Sequence, residues 1–250
     1  MNVRIVLVGA QHPGNIGSAA RAMKTMGLAD LALVAPERFP APEAVVMAAA
    51  ADDVLGRARI FVSVREAIAD CGLIVATTAR ARHLPWLVVE PREAAREIVT
   101  AAASATVAVL FGAERTGLSN EDLEQCQRLL TIPCDAAYPS LNLAMAVQLV
   151  AYELWLVARE PRLRGVAAAG PHASAEEMEH FYAQLAEVMD EIDFRDRTGS
   201  GHLMARLRRL FNRAAPDENE IHILRGILTA VQRRRRRAGE PHRAPVAPRD

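Results

Sequence analysis

The first 132 residues alternate short apolar runs with segments of helical length. Six runs rich in Val, Ile and Leu occupy residues 5–8, 31–34, 60–62, 73–78, 107–111 and 129–132. Apolar strands that alternate with helices predict a parallel sheet covered by helices on both faces, because parallel strands need long crossovers that bury the sheet. We therefore expect an α/β domain over residues 1–158 that ends with a helix from Leu141 to about Ala158.

The same pattern predicts where a ligand would bind. In open parallel sheets, ligands bind beyond the carboxyl ends of the strands. The segments that follow Val8, Thr78, Phe111 and Ile132 are therefore the places where functional residues are expected.

A linker and a second unit follow the α/β domain. Residues 159–173 combine two prolines, two glycines and an alanine run, a composition typical of a linker. Ser174 with Glu177 has the spacing of a capping box at a helix start, and Asp217 with Glu220 has the same spacing. We expect two or three helices over residues 174–237, followed by a disordered tail with three prolines at residues 238–250.

One of these helices is predicted to be amphipathic. Its apolar face would hold Leu203, Leu207, Leu210, Phe211 and Ala214, which follow helical spacing. Its other face carries four arginines, namely Arg206, Arg208, Arg209 and Arg213.

Composition narrows the class of protein. The 250 residues carry 30 basic and 30 acidic groups, so the net charge of zero argues against general coating of nucleic acid. The charges are distributed unevenly along the chain, however, because residues 159–250 hold 17 basic and only 14 acidic groups. The five arginines at residues 233–237 are compatible with a solvated tail or with contacts to phosphates.

The sequence contains neither a recognisable targeting segment nor a metal-binding motif. No apolar run approaches the ~20 residues of a membrane span, and the first ten residues lack a signal-peptide pattern, so we expect a cytoplasmic protein. The three cysteines, at unrelated spacings, suggest neither a disulfide framework nor a zinc site, and no metal is expected.

A glycine-rich segment follows the first apolar run. Residues 9–21 lack the lysine of a P-loop, since Asn15 stands at that position. Gly9, Gly14 and Gly17 also miss the spacing of the dinucleotide fingerprint, which disfavours a dehydrogenase. The segment leads into a helix on which Asn15 and Arg21 face roughly one way.

Two further segments combine with this one. Gly112 and Glu114 follow the run at 107–111, and Ser140 and Asn142 precede the helix that ends the domain. Together with Asn15 and Arg21, these pairs resemble, in order and separation, the three signature motifs of the SpoU branch of the SPOUT methyltransferases.

The resemblance extends over about residues 3–232. Residues 12–28, 77–82, 138–143, 207–214 and 223–228 look like the bacterial tRNA 2′-O-methyltransferases of anticodon-loop nucleotide 32, cytidine or uridine. The resemblance implies S-adenosylmethionine as cofactor, tRNA as substrate, a homodimer whose protomers complete each other's site, and a trefoil knot late in the sheet. Nothing in the apolar pattern predicts the knot, which general topology rules disfavour.

Residue roles are carried over from the same resemblance. The implied catalytic set is Asn15, Arg21, Ser140 and Asn142. The implied cofactor site is Thr77, Thr78, Ala79, Gly112, Glu114, Ile132 and Leu141. Contacts to RNA are expected from Arg80 and Arg82, which could equally be a solvated surface pair, and from Arg206, Arg208, Arg209 and Arg213.

Two other functions remain open. A ribosomal RNA 2′-O-methyltransferase would share the catalytic domain, although the C-terminal helices favour tRNA. A silent RNA-binding dimer would keep the fold and the basic helices, but it would not need the catalytic set together. A small-molecule methyltransferase would leave the arginine-rich helices without a purpose.

Overall fold

The computed structural model describes residues 1–78, 88–160, 172–194 and 202–239. The strands are β1 (Val3–Val8), β2 (Asp30–Val34), β3 (Arg59–Phe61), β4 (Cys71–Thr77), β5 (Val88–Val89), β6 (Thr106–Phe111) and β7 (Arg128–Leu130). The helices of the α/β domain are α1 (Pro13–Thr25), α2 (Pro42–Ala48), α3 (Asp52–Gly56), α4 (Val64–Ile68), α5 (Pro91–Ala101), α6 (Asn120–Glu124) and α7 (Leu143–Ala158). Three helices follow: α8 (Ala175–Glu191), α9 (Leu203–Ala214) and α10 (Glu218–Gly239).

The described strands form one seven-stranded sheet in the order β3-β2-β1-β6-β4-β7-β5, and the pairings between neighbours are parallel. All six predicted apolar runs are strands whose ends lie within two residues of the prediction. The edge strand β5 was not predicted, because two residues are too few to display a strand pattern. The predicted parallel sheet is confirmed.

Both faces of the sheet are covered. On β1, Ile5 and Leu7 lie in the core formed with α1, α2, α5 and α7, whereas Val6 lies in a second core on the opposite face. Helices α4 and α6 contribute Ile68 and Leu123 to that second core. This alternation follows from the two-residue period of a strand and confirms the predicted layers.

Helix α1 lies unusually close to α2. A Cβ added at Gly17 would lie 2.0 Å from the backbone oxygen of Ala44, so no other residue fits there without moving the backbone. Because α1 carries Asn15 and Arg21, this close packing also fixes the position of two predicted site residues.

The C-terminal helices share a small core of their own. Met178, Phe181, Tyr182 and Ile221 are buried in it, and the ring of Phe211 meets Phe181 edge to face with centroids 4.8 Å apart. Both predicted helix starts are confirmed by their capping hydrogen bonds, Ser174 with Glu177 and Asp217 with Glu220.

These helices contact the sheet domain on its α4 and α6 side. The backbone N–H of Glu176 donates to the oxygen of Ala69 at 3.0 Å. The Asn212 amide donates to the oxygen of Glu124 at 3.0 Å, which joins α9 to the end of α6. The extension is therefore placed on the face of the sheet opposite α7.

The predicted apolar face of α9 is partly wrong. Leu210 is 48% exposed, whereas Asn212 is only 3% exposed and Phe211 packs on the small core. The reason is tertiary: buried Asn212 also accepts a hydrogen bond from the Tyr182 hydroxyl at 2.7 Å, so a polar contact decides which side of α9 faces inward.

Two predicted boundaries also change. Helix α10 runs to Gly239, so the arginines at 233–237 and the first residues of the expected tail are helical; residues 240–250 lie outside the described chain. His172 forms a bridge with Asp217 and Ala173 is 2% exposed, so the end of the expected linker belongs to the helical unit. Residues 161–171 lie outside the described chain.

Candidate active site

The carboxyl ends of β4, β6 and β7 open into a cavity of about 310 Å³. The segments predicted to hold a ligand after β4, β6 and β7 meet here. The lining comprises Thr77, Thr78, residues 111–118, Leu130, Ile132, Cys134, Pro139, Ser140, Leu141, Leu143 and Ala146. It thus contains every predicted cofactor residue within the described chain together with Ser140, whereas Ala79 lies outside the described residues.

The loop after β6 folds back on the end of its strand. The N–H of Gly117 donates to the oxygen of Ala113 at 2.8 Å, and Gly117 has a φ of +70°. A Cβ at Gly112 would lie 2.3 Å from the backbone of Gly117 and Leu118. Gly112 was expected in the cofactor site, and its lack of a side chain is already required by the loop itself.

The rim near β4 is held by two hydrogen bonds to backbone oxygens, one from a side chain and one from a backbone N–H. The Thr77 hydroxyl donates to the oxygen of Leu110 at 2.9 Å, and the Thr78 N–H donates to the oxygen of Leu130 at 2.9 Å. These bonds tie β4 to its neighbours β6 and β7 at the level of the cavity, so the two threonines sit on a rigid part of the sheet.

A chain of side-chain hydrogen bonds joins the three motif segments. The Asn15 amide donates to Glu114 at 2.8 Å, and the Asn142 amide donates to the side-chain oxygen of Asn15 at 3.0 Å. The side-chain oxygen of Asn142 in turn accepts from the N–H groups of Ala144 and Met145 and caps α7. Asn15 is thereby fixed relative to residues 99 and 127 positions away in the sequence.

Glu114 anchors this chain of bonds. Its carboxylate also accepts from the backbone N–H groups of Gln11 at 3.0 Å and His12 at 3.3 Å. Burial alone would raise the pKa of Glu114, but the hydrogen bonds from Asn15 and from these N–H groups outweigh it, so the pKa lies below its usual value. The charged carboxylate therefore holds the loop after β1 against the loop after β6.

The fold brings only some of the predicted catalytic residues close to one another and to the cavity. Asn15 and Asn142 are bonded to each other, and Ser140 lines the cavity. Arg21 is exposed on α1 and is not among the described residues that line the cavity. Within a single chain, Arg21 therefore lies away from the cavity in which it was expected to act.

The predicted RNA-contacting arginines divide into two kinds. Arg206 and Arg213 are exposed on α9, and Arg209 is partly exposed. Arg208 is paired through both its terminal nitrogens with Glu179, and its guanidinium lies 4.4 Å from the ring centre of Tyr182. Arg208 is engaged by this ion pair, at a carboxylate that Arg65 of α4 also contacts, so we propose that Arg208 does not contact RNA.

Arg80 and Arg82 lie outside the described residues. Sequence analysis did not single out Arg115, an exposed cation on the cavity lining. Its position directly after Glu114 was the available signal. The backbone donors of Gln11 and His12 were also missed, since a backbone contact leaves no mark on residue type.

Within the described ranges, no group of three or more His, Cys, Asp or Glu side chains is placed to hold a metal ion. In the same part of the chain, no helix has both the length and the apolar character needed to cross a membrane.

Family models match both units of the chain. Residues 2–152 match the model described as the SpoU rRNA Methylase family, and residues 176–240 match the C-terminal domain of the tRNA methyltransferase TrmJ. The first match ends within α7 and the second begins within α8.

Known proteins are similar over nearly the whole chain. The tRNA (cytidine/uridine-2′-O-)-methyltransferase TrmJ of Sodalis glossinidius is 47% identical over 234 residues, which cover 92% of this chain and 91% of that protein. The crystal structure of TrmJ from Z. mobilis ZM4 is 37% identical and has a TM-score of 0.78, with coverage of 92% and 98%.

A shorter solved chain is similar to part of this chain. The "Crystal Structure of Probable Methyltransferase from Bordetella pertussis Tohama I" is 43% identical, with a TM-score of 0.59, and covers 63% of this chain and 96% of its own. Taken with the family models and the site geometry, these similarities show that the chain belongs to the SpoU methylase family and carries the C-terminal domain of the TrmJ methyltransferases.

Proposed function

We propose that the chain methylates the 2′-hydroxyl of a cytidine or uridine at nucleotide 32 of the tRNA anticodon loop, with S-adenosylmethionine as methyl donor. The observation that carries the proposal is the bonded chain Glu114–Asn15–Asn142 beside the cavity. The printed activity of the Sodalis relative and the match to the TrmJ C-terminal domain support the same reaction on tRNA. A tRNA substrate places the proposed reaction in the cytoplasm.

The cavity fits this cofactor in size and chemistry. Its volume of about 310 Å³ lies at the lower end of small-molecule sites, ~300–1,000 Å³. Leu130, Ile132 and Leu143 offer apolar walls for an adenine ring, while Ser140 and the backbone of residues 111–118 offer polar contacts. When bound, S-adenosylmethionine would supply an electrophilic methyl group.

The residues of the chain would act mainly by alignment. A ribose 2′-hydroxyl is a weak nucleophile, so holding it in line with the methyl group lowers much of the barrier. A guanidinium is too weak a base to remove the proton readily. We therefore assign Arg21 to orienting the ribose phosphate and stabilising the developing oxyanion. Asn15, Ser140 and Asn142 would hold the ribose and Arg21 in register.

We propose that a second copy completes the site. Among the described residues, Arg21 is not part of its own chain's cavity lining. Helix α7 exposes Met145 (62%), Leu149 (41%) and Tyr152 (46%), which share one side of the helix directly after the capping residue Asn142. An apolar stripe of this kind is typical of a packed interface and supports a homodimer through α7.

Membership of the SpoU family supports a trefoil knot as well. We place it late in the sheet, where β7 lies between β4 and β5 and the following residues return to the cavity.

The test is methyl transfer to RNA by the full-length protein. The protein is incubated with labelled S-adenosylmethionine and unmodified tRNA, and the nucleosides are identified by mass spectrometry and mapped. We expect 2′-O-methylated cytidine or uridine at nucleotide 32. Transfer to ribosomal RNA but not to tRNA would favour the ribosomal alternative. Binding of tRNA without transfer would favour a silent RNA-binding dimer.

Arg21→Ala serves as the inactive control in that assay. Loss of one oriented charged donor should raise the barrier by ~2–4 kcal/mol while cofactor binding, measured by calorimetry, persists. Arg57→Ala removes an exposed arginine directly after α3, outside the motif segments, and should leave activity unchanged. Equal activity of Arg21→Ala and wild type would show that the assigned role is wrong.

A further inference from the structure

The last helix exposes an apolar stripe that the proposed site does not use. On α10, Ile223, Ile227 and Val231 are 64%, 56% and 37% exposed, and their four-residue spacing puts them on one side of the helix. A neighbouring side of α10 packs on the small core through Ile221, Leu224 and Leu228. Contiguous exposed apolar residues of this kind mark interaction surfaces.

The charges on α10 are arranged from end to end. Glu218 and Glu220 lie in the first turn, and Arg233 and Arg234 are exposed near the other end. A second α10 laid antiparallel on the stripe would bring each acidic end beside a basic end. A parallel copy would bring like charges together, so the charge pattern selects the antiparallel arrangement.

The stripe and the charges agree on one register. If the pair is centred on Ile227, Ile223 faces Val231 of the other copy, because each lies four residues from the centre. Glu220 then faces Arg234, because each lies seven residues from the centre. The apolar and charged contacts are thus satisfied by the same alignment.

We propose that the α10 face formed by Ile223, Ile227 and Val231 docks on the same face of a second copy, antiparallel and centred on Ile227. This interface is separate from the α7 stripe of the proposed homodimer and does not depend on methyl transfer. It would pair the helical units of two chains and so set the spacing of their exposed arginines.

The chemistry of the stripe favours protein over RNA. RNA is bound through cations at phosphates and through aromatic rings that stack on bases. Three aliphatic side chains offer neither contact.

Cysteine cross-linking of the full-length protein tests the register. All variants carry Cys134→Ser, because Cys71 and Cys126 are buried and Cys134 is exposed. Ile227→Cys should form an intermolecular disulfide under mild oxidation. Two copies of Ile223→Cys would have their thiols offset by about 12 Å along the helices, at 1.5 Å per residue, beyond disulfide reach.

Ile223→Cys mixed with Val231→Cys should therefore cross-link far more than either protein alone. His222→Cys lies on another exposed side of α10 and is the matched negative control. Equal yields at positions 222 and 227, or equal yields from mixed and unmixed proteins, would overturn the proposal.

A charge reversal provides an independent measurement. Arg234→Glu should lower the Ile227→Cys cross-link about threefold or more, since it places like charges opposite Glu220. Arg233→Glu makes the same change one residue away and off the stripe, and it should have little effect. Equal effects of the two changes would count against the register. Protection of the 227 thiol by tRNA, without any cross-link, would show that the face binds RNA instead.

Discussion

At the scale of single residues, the site is fixed by side chains that each perform two tasks. Asn142 accepts from the first N–H groups of α7 and also donates to Asn15. Asn15 donates in turn to Glu114, which accepts from the loop after β1. The position of Asn15 and the capping of α7 therefore both depend on Asn142. One substitution there can affect both the stability of the fold and methyl transfer.

Two substitutions at Asn142 separate these tasks. Ser can cap a helix but is too short to reach Asn15, so Asn142→Ser should keep stability near wild type while methyl transfer falls at least about tenfold. Asn142→Ala should lose the same activity and, in addition, about 1 kcal/mol of unfolding free energy. Denaturant unfolding and single-turnover methylation measure the two effects. Full activity in the Ser variant would rule out the assigned role of the Asn142–Asn15 bond.

The lowered pKa of Glu114 predicts how the stability of the fold changes at acidic pH. Its pKa is lowered in the folded state, so its contribution to stability is present above the ordinary pKa of 4.5 and is lost as pH falls through the folded-state pKa. Glu114→Gln should therefore show a shallower fall in melting temperature below pH 4.5 than wild type. Glu187→Gln, at an exposed position of α8, is the control. Parallel curves for wild type and Glu114→Gln would contradict the prediction.

At the scale of elements, α9 shows how neighbouring arginines differ. Arg206 and Arg213 are exposed, whereas Arg208 is bound to Glu179 and lies over Tyr182. The three are the same residue type on one helix. Only their contacts decide whether a charge is available to a phosphate.

Alanine substitutions should separate these arginines. Arg206→Ala and Arg213→Ala should each weaken tRNA binding and reduce the slope of log affinity against log salt by ~0.7–0.9. Arg208→Ala should leave that slope unchanged but destabilise the helical unit, because Glu179 would lose one of its two arginine partners and keep only Arg65 of α4. Titrations of labelled tRNA at several salt concentrations, with thermal unfolding of each variant, provide the comparison. A changed slope for Arg208→Ala alone would reverse the assignment.

At the scale of the whole molecule, the two units divide the work. The motif residues all belong to the sheet domain, and the helical unit rests on the face opposite α7. The two family models match the two units separately, residues 2–152 in the sheet domain and residues 176–240 in the helical unit.

Truncation after Ala158 tests this division. The remaining domain should bind S-adenosylmethionine with affinity near that of the full chain, because the cavity lining ends at Ala146. Its affinity for tRNA and the salt dependence of that affinity should both fall, since Arg206 and Arg213 are removed. Calorimetry and tRNA titration measure these quantities. Equal tRNA affinity and equal slope for both proteins would leave the helical unit without the role proposed for it.

Much of the fold and part of the site were predictable because their signals are local. The apolar runs gave the strands, and Ser174 with Glu177 gave a helix start, since each depends on residues a few positions apart. The cavity residues Thr77, Gly112 and Ile132 were found from the family motifs and lie together as expected. The strand β5 and the inward face of α9 were missed, because neither is decided by its own sequence.

The sequence by itself determined the alternating strands and helices, the capping boxes and the three motif segments with their residue types. Only the tertiary structure decided that Glu114 anchors Asn15, that Asn142 donates a hydrogen bond to Asn15, and that Arg208 pairs with Glu179. The physical reason is range. Hydrophobic period and capping act between residues within a few positions, whereas a hydrogen bond or ion pair between distant segments depends on how the sheet and helices bring them together.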